Sequence, residues 1–549
     1  MAMLESPFAD VLNTNYVPTD KELTQIDGIL SDALNAHSCL VNEIARMQAI
    51  LDDLSTQRRN LEDHIRCHRA LASQICRLPV EVFQIIFCYC LPSGRYSVMS
   101  TKDCPLLLGR VCSVWQKISR CTPQLWSSVH ICVPETSELP GGGCKELESF
   151  SDGLNTWLSL SNTNLLSLSL VACPLHTSHP MKSQLPFNHL LCVLVRFSKR
   201  WRSASFIGPT DVFILGVRRL TKADVPELEV FNFQSLGGPG QSNSWDEVSM
   251  LNTSSLREIS MLSYLSPTTL PVNWENLTRL HLAVFQRPYE DALDFMEALE
   301  IMSQCVNLLE CAMSEFFTDF RVLPSHLQNI TLPSLTTLRI TQDFDVHSSF
   351  PAFFEPLHLP QLRTLSFRGY INGDTMPFCS LLRDTHNVEN LDIHITTSNA
   401  PVESAVLNCL SLAVNIKRLH LHGSMQRWEA PLTDHILSWM TTPTSEGFPC
   451  PNLQEVVFHW CDFTEEAVRS FLLARTSPAQ HGVAFLAKAT FLMTCHRALD
   501  IRSDLAHAIK SGLDLILDYT ASPEDVKPSY SVFSPWNGLD VVTNDYYIF

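Results

Sequence analysis

The sequence predicts an α/β chain with a long N-terminal helix, a small three-helix unit, and an irregular solenoid of parallel strands and helices. Three observations predict it. Residues 20–75 keep an apolar period of 3.5 with almost no helix breaker. Residues 76–131 hold short apolar helical runs set off by prolines. From Leu165 onward one apolar pattern recurs at nearly regular intervals. At 549 residues, 45% of them hydrophobic and 17% charged, the chain exceeds one ordinary core and has ample apolar surface to bury.

Residues 1–19 are expected to be a flexible N-terminus. The helix that follows carries Leu23, Ile26, Leu30, Ala33, His37, Leu40, Ile44, Met47, Leu51, Leu54, Arg58, Leu61, Ile65, His68, Ala72 and Ile75 at its a and d positions. Thirteen of these sixteen are apolar, the pattern of a coiled-coil seam. Self-association through residues 23–75 is one expectation; a partner helix or packing on the rest of the chain are the others. His37, Arg58 and His68 interrupt the seam.

The next unit, 76–131, reads Cys-Arg-Leu-Pro-Val-Glu-Val-Phe-Gln-Ile-Ile-Phe from Cys76. Pro79 suits a first helical position, and Glu81 favours the same helix end. Val82, Phe83, Ile85, Ile86, Phe87 and Tyr89 make that helix apolar almost all round, more than a small local core can cover. After a loop from Ser93 to Asp103, a second helix is expected with Leu107, Val111, Val114, Trp115 and Ile118 on one stripe, then a short closing helix at Pro123, Leu125 and Trp126.

A linker is expected over 132–150, with the run Gly141-Gly142-Gly143 as a flexible connector, and the solenoid over 151–521. Its pattern is apolar, two variable, apolar, one variable, apolar. It begins at Leu165, Leu168, Leu170 and ends at Leu453, Val456, Phe458, with a weak copy at Trp201, Ala204, Phe206. Eleven units at about 29-residue spacing are similar to leucine-rich repeats. Each unit buries its apolar side only against its neighbours. The tail 522–549 is expected to cover the last repeat.

Residues 76–131 resemble the F-box. The resemblance rests on Leu78, Pro79, Glu81 and Val82, then Ile85 and Phe87, then Val111, Cys112, Trp115 and Ile118, and finally Pro123, Leu125 and Trp126. A coiled helix, an F-box and degenerate leucine-rich repeats in that order also resemble a group of fungal F-box proteins. The loop Ser93–Asp103 is longer than in compact F-boxes.

The resemblance implies a non-catalytic substrate receptor of a Skp–cullin–F-box ubiquitin ligase. Its helices would bind the Skp-type adaptor, and through it a cullin; the repeats would hold a protein target for ubiquitination and degradation. The adaptor contact is assigned to Leu78, Pro79, Val82, Ile85, Ile86, Val111 and Trp115, with core filling as the alternative for Val111 and Trp115. The alternative function is a leucine-rich-repeat scaffold that engages no ligase.

Target-facing positions on the strands are His281, Arg339, Arg368, Asp392, His394, His420, His422 and His459. His394, His422 and His459 recur at one position in three consecutive units. Chance spacing on a polar face is the plainer reading. The sharper one is a ladder that binds metal or gains charge as pH falls toward 6.

Other classes find little support. A net charge of -18 argues against nucleic-acid binding. No apolar run approaches a membrane span, and no secretory signal is expected, so a cytoplasmic or nuclear location and reduced cysteines follow. No Cys-x-x-Cys, Walker loop, Gly-x-Ser-x-Gly or His-Glu-x-x-His occurs, and neither enzyme activity, metal nor cofactor is expected.

Overall fold

A computed structural model describes residues 6–519, apart from 73, 134–142, 173–180, 237–243, 285–292, 315, 318–323, 343–350, 372–373, 396–401, 424–431, 444–446, 478–482 and 494–498. The expected tail 522–549 and the glycines 141–142 lie outside the described residues. The chain divides into two compact units, Met1–Phe83 and Gln84–Phe549.

The first unit is dominated by helix α1, Asp20–Leu71, about 78 Å long at 1.5 Å per residue. Its start is capped locally. The backbone N–H and the hydroxyl of Thr19 each donate to the Glu22 carboxylate at 2.7 Å, which holds that carboxyl below its ordinary range. Residues 23–68 keep the 3.5 period within the helix. Ala72 and Ile75, the last two expected seam positions, do not: Ala72 lies in a turn and Ile75 in a 3₁₀ segment, Gln74–Arg77, as the chain redirects toward Pro79.

Helix α2 spans Val80–Tyr89. The Pro79 carbonyl accepts from the N–H groups of Val82 and Phe83, so Pro79 sits at the cap and not at the first helical position. Its missing N–H is harmless at either place.

In the second unit the expected second helix is broken. A 3₁₀ turn, Leu108–Arg110, comes first; Cys112 is then extended and caps helix α3, Ser113–Arg120. The break rotates the stripe: Leu108 and Ile118 are buried, while Leu107, Val111 and Val114 are exposed. The closing helix is a 3₁₀ turn, Pro123–Trp126, with Leu125 and Trp126 buried. Trp126 donates its Nε1–H to the Ser119 carbonyl at 2.8 Å, and its ring meets Trp157 edge-on at 4.9 Å.

Among the described residues, fourteen parallel strands form one sheet in strict chain order. They are β1 Ser128–Val133, β2 Leu166–Ala172, β3 Trp201–Gly208, β4 Val230–Ser235 and β5 Glu258–Ser263. Then come β6 Arg279–Val284, β7 Glu310–Ser314, β8 Thr337–Thr341, β9 Thr364–Gly369 and β10 Asn390–Ile395. The last four are β11 Arg418–His422, β12 Glu455–Cys461, β13 Lys488–Met493 and β14 Asp514–Asp518. Register aligns like with like: Leu365 pairs Leu391, Leu391 pairs Leu419, and Leu419 pairs Val456, all buried. All eleven repeats read from the sequence supply strands, and helices such as Phe295–Gln304 and Glu465–Thr476 back them. Thr464 caps the latter, accepting from the Ala467 N–H.

Two expectations change here. The sheet starts at Ser128, inside the expected 76–131 unit, and helix Gly143–Leu160 fills part of the expected 132–150 linker. Trp126, Val129 and Ile131 repeat the apolar spacing, and Val129 and Ile131 pair with Leu168 and Leu170. The first repeat therefore overlaps the end of the helical segment.

An asparagine before the first apolar residue of several units ties neighbouring turns together. Asn307 donates to the Glu275 carbonyl at 2.9 Å, Asn387 to Pro360 at 2.9 Å, and Asn415 to His386 at 2.8 Å. These bonds satisfy carbonyls that the strands and helices leave open.

Candidate interaction surfaces

The helical segment buries less than its composition suggests. On α2, Phe83 and Phe87 are one turn apart and buried, and Phe87 packs on the Trp115 ring at 4.9 Å. In the second unit, Ile85 is 58% exposed, Val111 56% and Val114 57%; Ile86, Tyr89 and Leu107 are exposed as well. In the first unit, Leu78, Pro79 and Val82 are exposed. Of the two residues with open roles, Trp115 is half-buried with its ring against Phe87, whereas Val111 is exposed. Val80, Tyr89, Leu107 and Val114 were not on the expected contact list. Of these, only Tyr89 was among the residues whose apolar excess the sequence signalled.

The loop Ser93–Asp103 has a structural job. Ser97 and Val98 lie alongside β1: the His130 N–H donates to the Ser97 carbonyl at 2.7 Å, and Val98 bridges His130 in parallel. Tyr96 is buried, its hydroxyl hydrogen-bonded to the Ser203 hydroxyl on β3 at 3.2 Å, and burial pushes its phenol pKa up. The loop thus covers the first edge of the sheet and ties the helical segment to it.

The second candidate surface is the polar strand face. Successive positions carry Arg339, Ser366, Asp392 and His420 in one register row, and Arg368, His394, His422 and His459 in the next. All of these except Ser366 were expected to face a target, and all are half-buried. His281 corrects the expectation. It is buried, 3.4 Å from the Ser260 hydroxyl, at the floor of a small recess rimmed by Glu258, Arg279, Glu310 and Arg339. Arg279 pairs with Glu258 at 3.0 Å and Glu310 at 3.8 Å.

The histidine ladder is real as packing. His394 and His422 stack at 5.4 Å, and His422 meets His459 edge-on at 4.7 Å. Metal binding is not supported: no group of three or more His, Cys, Asp or Glu among the described residues is placed to hold an ion. For His422 the expected gain of charge near pH 6 is also corrected. Burial first, then the neighbouring His459 and His420, pushes His422 down to about 4, and burial lowers His459 too. His422 stays neutral at pH 6.

At the far end of this row β12 bulges between His459 and Cys461, and Trp460 adopts a left-handed φ of 58°. Its carbonyl passes so close to Gly423 that a Cβ there would lie 2.1 Å away. Only glycine fits beneath the bulge that positions His459.

No protein-family model matches the chain, and no curated protein matches it either. Among the described residues no helix is long and apolar enough to cross a membrane.

Proposed function

We propose that this chain is an F-box substrate receptor: its helical segment docks on a Skp-type adaptor of a cullin ubiquitin ligase, and its strand face presents a protein target. One observation carries the reading. Ile85, Ile86, Tyr89, Leu107, Val111 and Val114 remain exposed in a short segment whose core positions are already filled by Phe87, Leu108, Ile118 and Leu125. Exposed clusters of large apolar side chains are rare on soluble monomers and mark protein-binding sites. Fully burying such a side chain is worth about 1.5–3 kcal/mol, so a partner covering several of them gains a stable interface.

The order of motifs supports the same reading, with Leu-Pro-x-Glu at 78–81, Val-Cys-x-x-Trp at 111–115 and Pro-x-Leu-Trp at 123–126. In this role the chain performs no bond chemistry. It raises the local concentration of its target near the ubiquitin-loaded enzyme and fixes its orientation.

Co-purification tests the proposal. Tagged wild-type chain should bring down a Skp-type adaptor and cullin, and Ile85→Asp with Ile86→Asp should lose both while the chain stays folded. Wild-type chain that captures neither would leave a repeat scaffold that engages no ligase.

A further inference from the structure

The seam of α1 leaves an apolar helix face to be covered, and its charges say by what. Leu23, Leu30, Leu40, Ile44, Met47, Leu51, Leu54, Leu61 and Ile65 are all exposed. The first third of the helix, 20–36, carries Asp20, Glu22, Asp27 and Asp32 against a single Lys21. The last third, 54–71, carries Arg58, Arg59, Arg66 and Arg69 against Glu62 and Asp63. The helix is thus acidic at one end and basic at the other.

We infer that the occupant is α1 of a second copy, running antiparallel. A parallel pair in register sets acidic end on acidic end, and stacks His37, Arg58 and His68 each against its own counterpart inside the seam. Two buried guanidinium groups facing each other are strongly unfavourable. Antiparallel pairing sets the acidic end on the basic end.

The heptads also fit that direction. With the two helices flush, Asp20 level with Leu71 of the other copy, every seam position meets a seam position. Ile26 meets Ile65, Leu30 meets Leu61, Leu40 meets Leu51, and Ile44 meets Met47. The polar positions fall opposite apolar ones: Arg58 faces the small Ala33, which leaves room for its guanidinium to reach solvent, His37 faces Leu54, and His68 faces Leu23. No seam layer pairs two cations.

Light scattering of the full chain at micromolar concentration should give twice the single-chain mass, and Ile44→Asp with Met47→Asp should raise the dissociation constant at least 100-fold. Direction is read by thiol cross-linking of differently tagged full chains, with the linked peptides mapped by mass spectrometry. Ala36→Cys should link to Gln57→Cys, whose side chains flank the same seam layers in the antiparallel pair. Linkage of Ala36→Cys to Val41→Cys instead would mean a parallel pair and would overturn the inference. So would a single-chain mass for the wild type. The cross-linking arm does not depend on any seam substitution being tolerated. Adaptor binding is read separately and does not enter either outcome.

Discussion

The helical segment and the strand sheet are built from the same apolar residues, but they dispose of them differently. In the sheet, Leu168, Phe206, Phe233, Leu391 and Phe458 are buried because the next repeat of the same chain covers each one. In the segment around α2 and α3, apolar residues outnumber the places among the described residues that cover them, and Ile85, Val111 and Val114 are exposed. The contrast separates residues that hold the fold from residues that the described chain leaves exposed. Hydrophobicity alone does not make that distinction; the number of neighbours a residue's own chain supplies does.

Breaking the covered side should have the largest effect. Phe233 is fully buried, 4.8 Å from Phe213 and edge-on to Trp245 at 5.1 Å. Phe233→Ala should cost about 4 kcal/mol, read as a lowered denaturation midpoint.

Acid should weaken the same sheet. His422 is held near 4 in the folded chain against 6.5 when free. Between those values the unfolded chain binds a proton that the folded chain refuses, so stability is full above about pH 6.5 and falls as pH drops toward 4. From pH 7 to pH 5 this site should cost about 2 kcal/mol, and His422→Asn should flatten that part of the stability profile.

The brace between the two regions should matter less. Tyr96→Phe removes the hydroxyl paired with Ser203 and should cost about 1 kcal/mol, with earlier hydrogen exchange at the β1 edge as the sharper readout. Smallest of all, Ile85→Ser should change stability by under about 0.5 kcal/mol, because the residue is already in water. A large loss there would mean that the exposed set belongs to the fold after all.

Much of the sheet was legible because its period is short and repeated: even the weak copy at Trp201, Ala204 and Phe206 became β3. Three strands were not read. β1 was hidden because Trp126, Val129 and Ile131 follow directly on residues read as the end of a helical unit. β13 keeps the spacing as Leu486, Ala489 and Phe491 but was not read, and β14 has Gly512 in place of the first apolar residue. The contacts that shape the surfaces were less legible. Tyr96 finds Ser203 more than a hundred residues away, and His281 has the spacing of an outward polar residue yet is buried in a recess it shares with Glu258, Arg279 and Glu310. The break at Cys112 escaped for a different reason. Val111, Trp115 and Ile118 keep a helical spacing across it, so periodicity carried the expected stripe through the interruption.

Calorimetric titration of a purified Skp-type adaptor into the full-length chain tests the central claim most directly. Binding with a clearly negative heat-capacity change is expected, the mark of apolar surface leaving water, and it should vanish in Ile85→Asp with Ile86→Asp while the thermal midpoint of the chain stays put. No binding by the wild type, or binding that the double substitution leaves intact, would contradict it.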